Sequence, residues 1–296
     1  MKRTAHPRIF TVAAFVLVAL IWGSTWLVIK DQISVVPAGW SITWRFALAT
    51  VGMFVLAFVR GDALRLDAAG MHLAFWVGLL QFCLNFQFVY RAEAHLTSGL
   101  VAVMFALLLV PNAVMARLFL GAVVSRRFVV GSLVALAGIG LLMLREYRFA
   151  ALSVNVGMGV GLTLCALLSA SAANVLQASD VAKRQAVVPM IAWAMLWGTC
   201  ADAVVSWVIY GAPVFDPRPA YLAGVGYLAI IGSVVTFPLY FGLIRQIGAG
   251  RAAYNGVMVP VIAMGLSTLF EGYVWTGLAA GGAGLAMVGL VIALSG

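Results

Sequence analysis

Charge is what this chain has least of. Only nine of its 296 residues are Asp or Glu, and Lys and Arg together number eighteen. Charged residues make up 9% of the sequence, against about 25% in an ordinary soluble domain. With 64% of residues hydrophobic, no soluble fold has enough polar surface to coat what it must hide, so the solvent is a bilayer. Histidine and cysteine are nearly as scarce, at three each. His6, His72 and His95 lie near the ends of apolar runs, and no H-E-x-x-H pattern occurs. Of the acids, Asp202 alone reads as lying well inside an apolar run. An intramembrane hydrolase needs a Ser–His pair, paired acids or metal ligands at depth, and these are missing. No cofactor, catalytic residue or metal site is expected. Cys83, Cys165 and Cys200 fall inside apolar runs, without metal or disulfide spacing, and read as small buried hydrophobes. Long polar stretches are absent too, which leaves no room for a soluble domain.

What the chain does have is apolar runs of spanning length. A helix needs about 20 residues to cross the hydrocarbon core. The runs predict ten spans, at 10–29, 39–59, 70–90, 97–119, 128–144, 154–176, 187–209, 221–243, 252–270 and 273–294. Breaks are marked by Lys30-Asp31, Arg60-Gly61-Asp62, Arg126-Arg127, Arg145-Glu146, Lys183-Arg184, Asp216-Pro217-Arg218-Pro219 and Gly248-Ala249-Gly250. The fifth span reads as short, and Glu271 as a tight turn between the last two. Lys2, Arg3 and Arg8 precede the first run as in a signal peptide. That run is long enough to span and no small-residue cleavage pattern follows it, so it is expected to be a retained helix.

The net charge of +9 does not point to nucleic acid, because the basic residues are scattered through short loops. Ten spans put twelve Lys and Arg on the side of the N-terminus and five on the other. By the positive-inside rule both termini are expected in the cytoplasm of an inner-membrane protein.

Two halves of the chain look alike. Pro111–Gly140 resembles Pro260–Gly289: each has a proline inside an apolar helix, a short turn and a Gly-rich span, with Gly131…Gly138 matching Gly282…Gly289. Five spans per half, at 1–150 and 151–296, is an odd number, so the second copy is expected to enter the membrane inverted. That is the plan of many secondary transporters.

Polar residues fall on helical stripes within the spans. Trp22, Thr25 and Trp26 share one face, Gln81, Asn85 and Phe88 another, and Ser171, Asn174 and Gln177 a third, with Tyr254 and Asn255 opening the ninth span. Lipid offers amides no partners, so these face the interior, as pathway lining or as interhelical glue. Trp40, Trp207 and Trp275 lie near span ends and read as interface anchors. Trp22, Trp26, Trp193 and Trp197 lie deeper or on polar stripes, where indoles stack on a ligand or fill core. Arg45 sits six residues into the second span, roughly 9 Å below its end at 1.5 Å per residue. Asp202 lies at similar depth in the seventh, which suggests that the two pair or share a charged substrate. Pro111, Pro238 and Pro260 free the carbonyls of Leu107, Val234 and Gly256; Pro238 reads as a static kink. Gly131, Ala135, Gly138, Gly281 and Gly284 permit close helix approach, for scaffolding or a homodimer contact.

These residues carry a family resemblance. Trp22-Gly23-Ser24-Thr25-Trp26-Leu27-Val28-Ile29-Lys30, then Pro37, then Trp44-Arg45-Phe46-Ala47-Leu48-Ala49, resembles the opening of EamA-type members of the drug/metabolite transporter (DMT) superfamily. Arg251-Ala252-Ala253, Pro260 and Glu271 are similar to the second-repeat ending. Two places differ: Gly121-Ala122 stands where the family has Gly-Glu, and Ser169-Ala170-Ser171-Ala172 lacks its Trp-Ala pair. The resemblance implies an all-α membrane protein of ten helices in two inverted five-helix repeats. It implies a central cavity lined by helices one to four and six to nine, with five and ten outside.

The expected function is a permease that moves a small organic solute through the bilayer by alternating access, exporting amino acids or related metabolites. Multidrug or cation efflux and a small-anion carrier are the alternatives. A channel filter of carbonyl loops or charge rings is not visible, nor is an ATP-binding loop, so the energy is expected from a coupling gradient or from the solute's own. The expected pathway residues are Trp22, Ser24, Thr25, Trp26, Trp44, Arg45, Gln81, Asn85, Ser171, Asn174, Asp202, Tyr254 and Asn255. Impermeant labelling of tags on the two termini is expected to modify both from one side only; reaction from opposite sides would remove the inverted five-plus-five plan.

Overall fold

The computed structural model describes residues 7–149, 155–252 and 255–295. Helices are α1 (Pro7–Gln32), α2 (Ala38–Val59), α3 (Ala68–Val77), α4 (Asn85–Glu93), α5 (Ser98–Phe105), α6 (Leu109–Leu120), α7 (Arg126–Phe149), α8 (Asn155–Ala178), α9 (Asp180–Arg184), α10 (Val187–Tyr210), α11 (Pro219–Gly226), α12 (Thr236–Ala252), α13 (Asn255–Phe270) and α14 (Gly277–Leu294). Among the described residues there is no strand. A π-helix, π1 (Gly78–Leu84), joins α3 to α4 in one rod, and π2 (Tyr227–Val235) joins α11 to α12. A 3₁₀ turn (Ala106–Leu108) joins α5 to α6. Among the described residues, seven rods are long and apolar enough to cross a bilayer, and Met258–Phe270 and Gly277–Ala293 are shorter apolar helices.

The helices are apolar nearly all round, so hydrophobicity does not decide which face turns inward. Large apolar side chains point out: Phe119 and Val208 are 75% and 78% exposed. Lipid replaces water there, and packing, small residues and internal hydrogen bonds select the inner faces. Cys165 and Cys200 follow the same logic. Only Cys83 is buried; the other two face outward, because in a bilayer the outside is also apolar.

Several predicted boundaries move. The fifth rod is not short: α7 runs to Phe149, and the Arg145 guanidinium donates to the Val274 carbonyl at 2.6 Å. The expected break at Gly248-Ala249-Gly250 is helical, inside α12; a glycine in a helix costs only about 1 kcal/mol. The third rod extends past residue 90 to Glu93.

Contacts between the halves exchange in an orderly way. α1 packs on α13 as α6 packs on α8, and α2 packs on π2 as α10 packs on π1. Three further pairs join matching helices of the two halves, and all run antiparallel. Gly39 of α2 meets Ser206 of α10, while Phe54 meets Trp193. Gly99 of α5 meets Ser267 of α13, while Ala106 lies by Gly256. Gly131 of α7 meets Gly289 and Ala293 of α14, while Gly138 meets Gly282 and Ala286. The two matching glycine pairs of the sequence therefore meet each other. These four glycines are used within one chain, as scaffolding, whereas a Cβ on Gly281 or Gly284 would meet nothing within 4 Å.

At this crossing a Cβ on Gly138 would lie 2.3 Å from the Ala286 nitrogen, whereas one on Gly140 would meet nothing within 4 Å. Gly138→Val is expected to destabilise the protein by about 1–3 kcal/mol or more, read as lost thermal stability in detergent. Gly140→Val should have a far smaller effect, and equal losses would contradict this packing.

Candidate functional site

A cavity of about 120 Å³ lies where the two halves meet. Its walls are mainly aromatic and aliphatic, with polar groups at a few points. α1 contributes Trp22, Thr25, Trp26 and Ile29; α2 contributes Arg45; and π1 and α4 contribute Gln81, Asn85, Phe86 and Val89. α8 supplies Asn174, α12 supplies Phe237 and Tyr240, and α13 supplies Asn255, Gly256, Val259 and Pro260.

Arg45 is the one charged residue among these, and it is 1% exposed. A cation at such depth in a bilayer is costly, by about 2.5 kcal/mol or more, and its surroundings show how the cost is met. Its Nε and Nη2 donate to Ser233 Oγ of π2, both at 3.3 Å. Ser233 Oγ donates in turn to Leu228 O, five residues earlier, so its lone pairs are left for the guanidinium. Arg45 Nη1 donates to Tyr90 OH at 3.3 Å, and Tyr90 OH donates to Gln32 Oε1. The guanidinium carbon lies 4.5 Å from the Phe86 ring centroid and 5.0 Å from that of Phe46, within cation–π range. Every partner is neutral.

The expected pair with Asp202 does not form. Asp202 Oδ1 accepts from Gln87 Nε2 at 2.8 Å, and Gln87 Oε1 accepts from Arg91 Nη2 at 2.9 Å. Matching depth says nothing of direction around the helix axis. On α4, Phe86 and Tyr90 form one i, i+4 stripe toward Arg45, and Gln87 and Arg91 form the next toward Asp202. One residue is a turn of about 100° at 3.6 residues per turn, so two charges at one depth are served by adjacent stripes.

Trp22 Nε1 donates to Thr236 Oγ1 at 3.0 Å and to Gly232 O at 3.3 Å. Its ring meets Tyr240 edge-on, with centroids 4.8 Å apart. Trp26 lies 5.2 Å from the Phe105 centroid, and its Nε1 has no partner. Asn85 Oδ1 and Asn255 Oδ1 also accept nothing. Three orphaned polar atoms therefore belong to residues that line one apolar-walled space. Buried polar groups rarely stay unpaired, and such atoms fit a bound solute.

Other predicted site residues lie elsewhere. Ser24 Oγ is bonded to Tyr227 OH at 2.6 Å, tying α1 to π2. Trp44 Nε1 donates to Val214 O, and its ring lies beside Trp40 and Phe215. Trp40 is 3% exposed and packs inside rather than at an exposed interface. Trp193 Nε1 donates to Leu64 O, and Trp197 is 38% exposed, so neither indole enters the cavity. Ser171 is buried without lining it. Tyr254 lies outside the described residues.

The three prolines do more than bend rods. Pro111 follows the 3₁₀ turn, Pro238 sits three residues beyond π2, and Pro260 lines the cavity together with Gly256. Pro238 therefore marks a widened helix rather than a plain kink. Both π segments occupy the third long rod of their half, and π1 carries Gln81 while π2 carries Ser233. Inserted π turns gather at functional sites.

Comparison with known proteins follows the same lines. The family model for the EamA-like transporter family matches residues 9–144 and again 157–295. The chain belongs to the EamA-like transporter family. It is a membrane transporter, not an enzyme. It is 24% identical to "Protein PagO" of Salmonella typhimurium strain LT2, over 88% of this chain and 84% of that protein. It is 25% identical to a "Probable amino-acid metabolite efflux pump" of the same organism, over 95% and 93%. It is 28% identical to the "Uncharacterized inner membrane transporter YedA" of Escherichia coli strain K12, over 84% and 79%. One crystal structure shares the fold, with a TM-score of 0.73 at 16% identity over 96% of each chain.

Sequence reasoning missed Ser233, Tyr90 and Gln32, the residues that hold Arg45 in this EamA member. The spacing of Phe86 and Tyr90 was available as a signal; the π turn that presents Ser233 was not. Double-mutant cycles on detergent-solubilised protein check the assignment. Arg45→Lys with Ser233→Ala or Tyr90→Phe is expected to show coupling of about 0.5 kcal/mol or more, and Arg45→Lys with Asp202→Asn is expected to be additive within about 0.5 kcal/mol.

Proposed function

We propose that this chain is a secondary transporter that exports small carboxylate-bearing solutes, amino acids or related metabolites, across the inner membrane by alternating access. Ten spanning helices in two inverted repeats, 1–150 and 151–296, form the machine, with both termini cytoplasmic. The family places a small-molecule solute and a membrane in the picture. The antiparallel crossing of matching helices, α2 with α10, α5 with α13 and α7 with α14, supports inversion. It gives a lined cavity two equivalent halves that rock about it.

One observation carries the choice of solute: Arg45, at the cavity wall, has only neutral partners. A carboxylate supplies the missing charge and the bidentate geometry that a guanidinium favours. The open amides of Asn85 and Asn255 suit an amine or amide, and the Trp22 and Trp26 indoles suit an apolar side chain. No acidic residue lines the cavity among the described residues, which weighs against cationic drugs and leaves a small anion as the second reading. One relative's name, a probable amino-acid metabolite efflux pump, agrees with the first.

The test is counterflow in proteoliposomes loaded with unlabelled L-threonine, L-glutamine or L-phenylalanine, followed by trace uptake of the labelled compound. Saturable counterflow of at least one is expected. Arg45→Gln is expected to lower it by about tenfold or more, since truncating one partner of a buried charge pair costs about 2–5 kcal/mol. Absence of counterflow for all three, in protein that elutes as a single species, would overturn the amino-acid reading.

A further inference from the structure

We propose that Glu93 is a proton-binding site, separate from the solute cavity, whose loading and release couple transport to proton movement, with Lys30 as the cation that receives the carboxylate when the proton leaves. The proposal deepens the transporter reading and rests on it.

Glu93 is the last residue of α4 and is 0% exposed. Neither of its carboxyl oxygens has a hydrogen-bond partner. A neighbouring cation is present but otherwise engaged: Lys30 Nζ donates to the main-chain carbonyls of Glu93 and Leu96, not to the carboxyl. Four charged or titratable groups lie close enough to act electrostatically on Glu93. They are Lys30 of α1, Arg45 of α2, Glu271 in the turn after α13, and Tyr90 one turn back on α4. Arg45 is held by Ser233 and Tyr90. Glu271 takes the backbone N–H and the hydroxyl of Ser98. None of these groups donates to the Glu93 carboxyl in this arrangement.

An ionised carboxylate buried without a donor is far costlier than the neutral acid, so the arrangement holds the proton. The release step is simple. The O–H bond of the carboxyl breaks, the proton passes to water reaching the face where α1 ends, and the electron pair stays on the carboxylate. Lys30 Nζ then gives up a carbonyl to pair with that carboxylate, and nothing is oxidised or reduced. Rebinding of a proton reverses the exchange and returns Lys30 to both carbonyls.

The position suits coupling. Lys30 lies in the last turn of the first rod, Glu93 ends the third, Ser98 opens the fourth, and Glu271 follows α13 of the other half. Ile29 and Val89, both in the cavity wall, lie one residue from Lys30 and one turn from Glu93. A move of Lys30 by one partner therefore pulls directly on the wall of the solute cavity.

The experiment uses the full chain in proteoliposomes, in two arms. Infrared difference spectra against pH need no solute: a free-acid C=O band that titrates in the wild type should vanish in Glu93→Gln and reappear, shifted, in Glu93→Asp. The second arm compares accumulation driven by an imposed pH gradient with counterflow, using whichever of L-threonine, L-glutamine and L-phenylalanine is exchanged. The ratio of the two should fall by about tenfold in Glu93→Gln, within the range of typical coupling energies. A titrating acid band undiminished in Glu93→Gln, or no such band in the wild type, overturns the proposal, as does an unchanged ratio. Failure of counterflow in the wild type strikes the transporter reading instead, and the infrared arm still decides whether Glu93 holds a proton.

Discussion

A single guanidinium buried between two sets of helices organises the centre of this molecule. Arg45 lies on α2, yet its hydrogen bonds run to π2 of the other half and to α4 of its own, and two phenyl rings cover its faces. Lipid cannot solvate such a group, so each bond is obligatory rather than optional. The cavity exists beside it because a charge with neutral partners holds polar structure around itself. The π segments, the Tyr90–Gln32 relay and the orphaned amides all lie within this neighbourhood.

The second organising feature is the scaffold that leaves the centre free to move. α7 and α14 cross through matching glycines with backbone against backbone. Dispersion over a close, shape-matched contact is strong where lipid gives no hydrophobic drive between helices. That pair holds the edge of the fold. The rods around the cavity are different in kind: they carry prolines, a 3₁₀ turn and π turns, where regular hydrogen bonding is already interrupted and bending costs less. The rocking motion proposed above would put its bending in these inner rods and leave the outer pair closely packed.

Much of this was legible along the chain. The apolar runs announced the bilayer and most of the rods. The polar stripes at Trp22/Thr25/Trp26, Gln81/Asn85, Asn174 and Asn255 proved to line one space. The matching glycine pairs meet each other at the α7–α14 crossing. Other features were not visible. Asp202 looked like the partner of Arg45 because both sit at one depth, and the adjacent stripes of α4 separate them. For Trp193 and Trp197 the sequence left stacking on a ligand and core filling open; Trp193 bonds Leu64 and Trp197 packs on Phe75, half-exposed. Glu93 was passed over because the third run was ended at residue 90, and its burial depends on α1 and on the turn after α13.

What the sequence determined alone is what depends on one helix at a time: which solvent surrounds it, where most of the rods run and which residues share a face. These follow from composition, the 3.6-residue period and the chemistry of glycine and proline. What only the tertiary structure decided is the azimuth of each face and the partner it meets: Ser233 rather than Asp202 for Arg45, and two carbonyls rather than a carboxylate for Lys30. The reason is physical. Helices that are apolar almost all round carry no strong signal for rotation about their axes, so the packing of neighbours and the need to satisfy every buried polar group settle it.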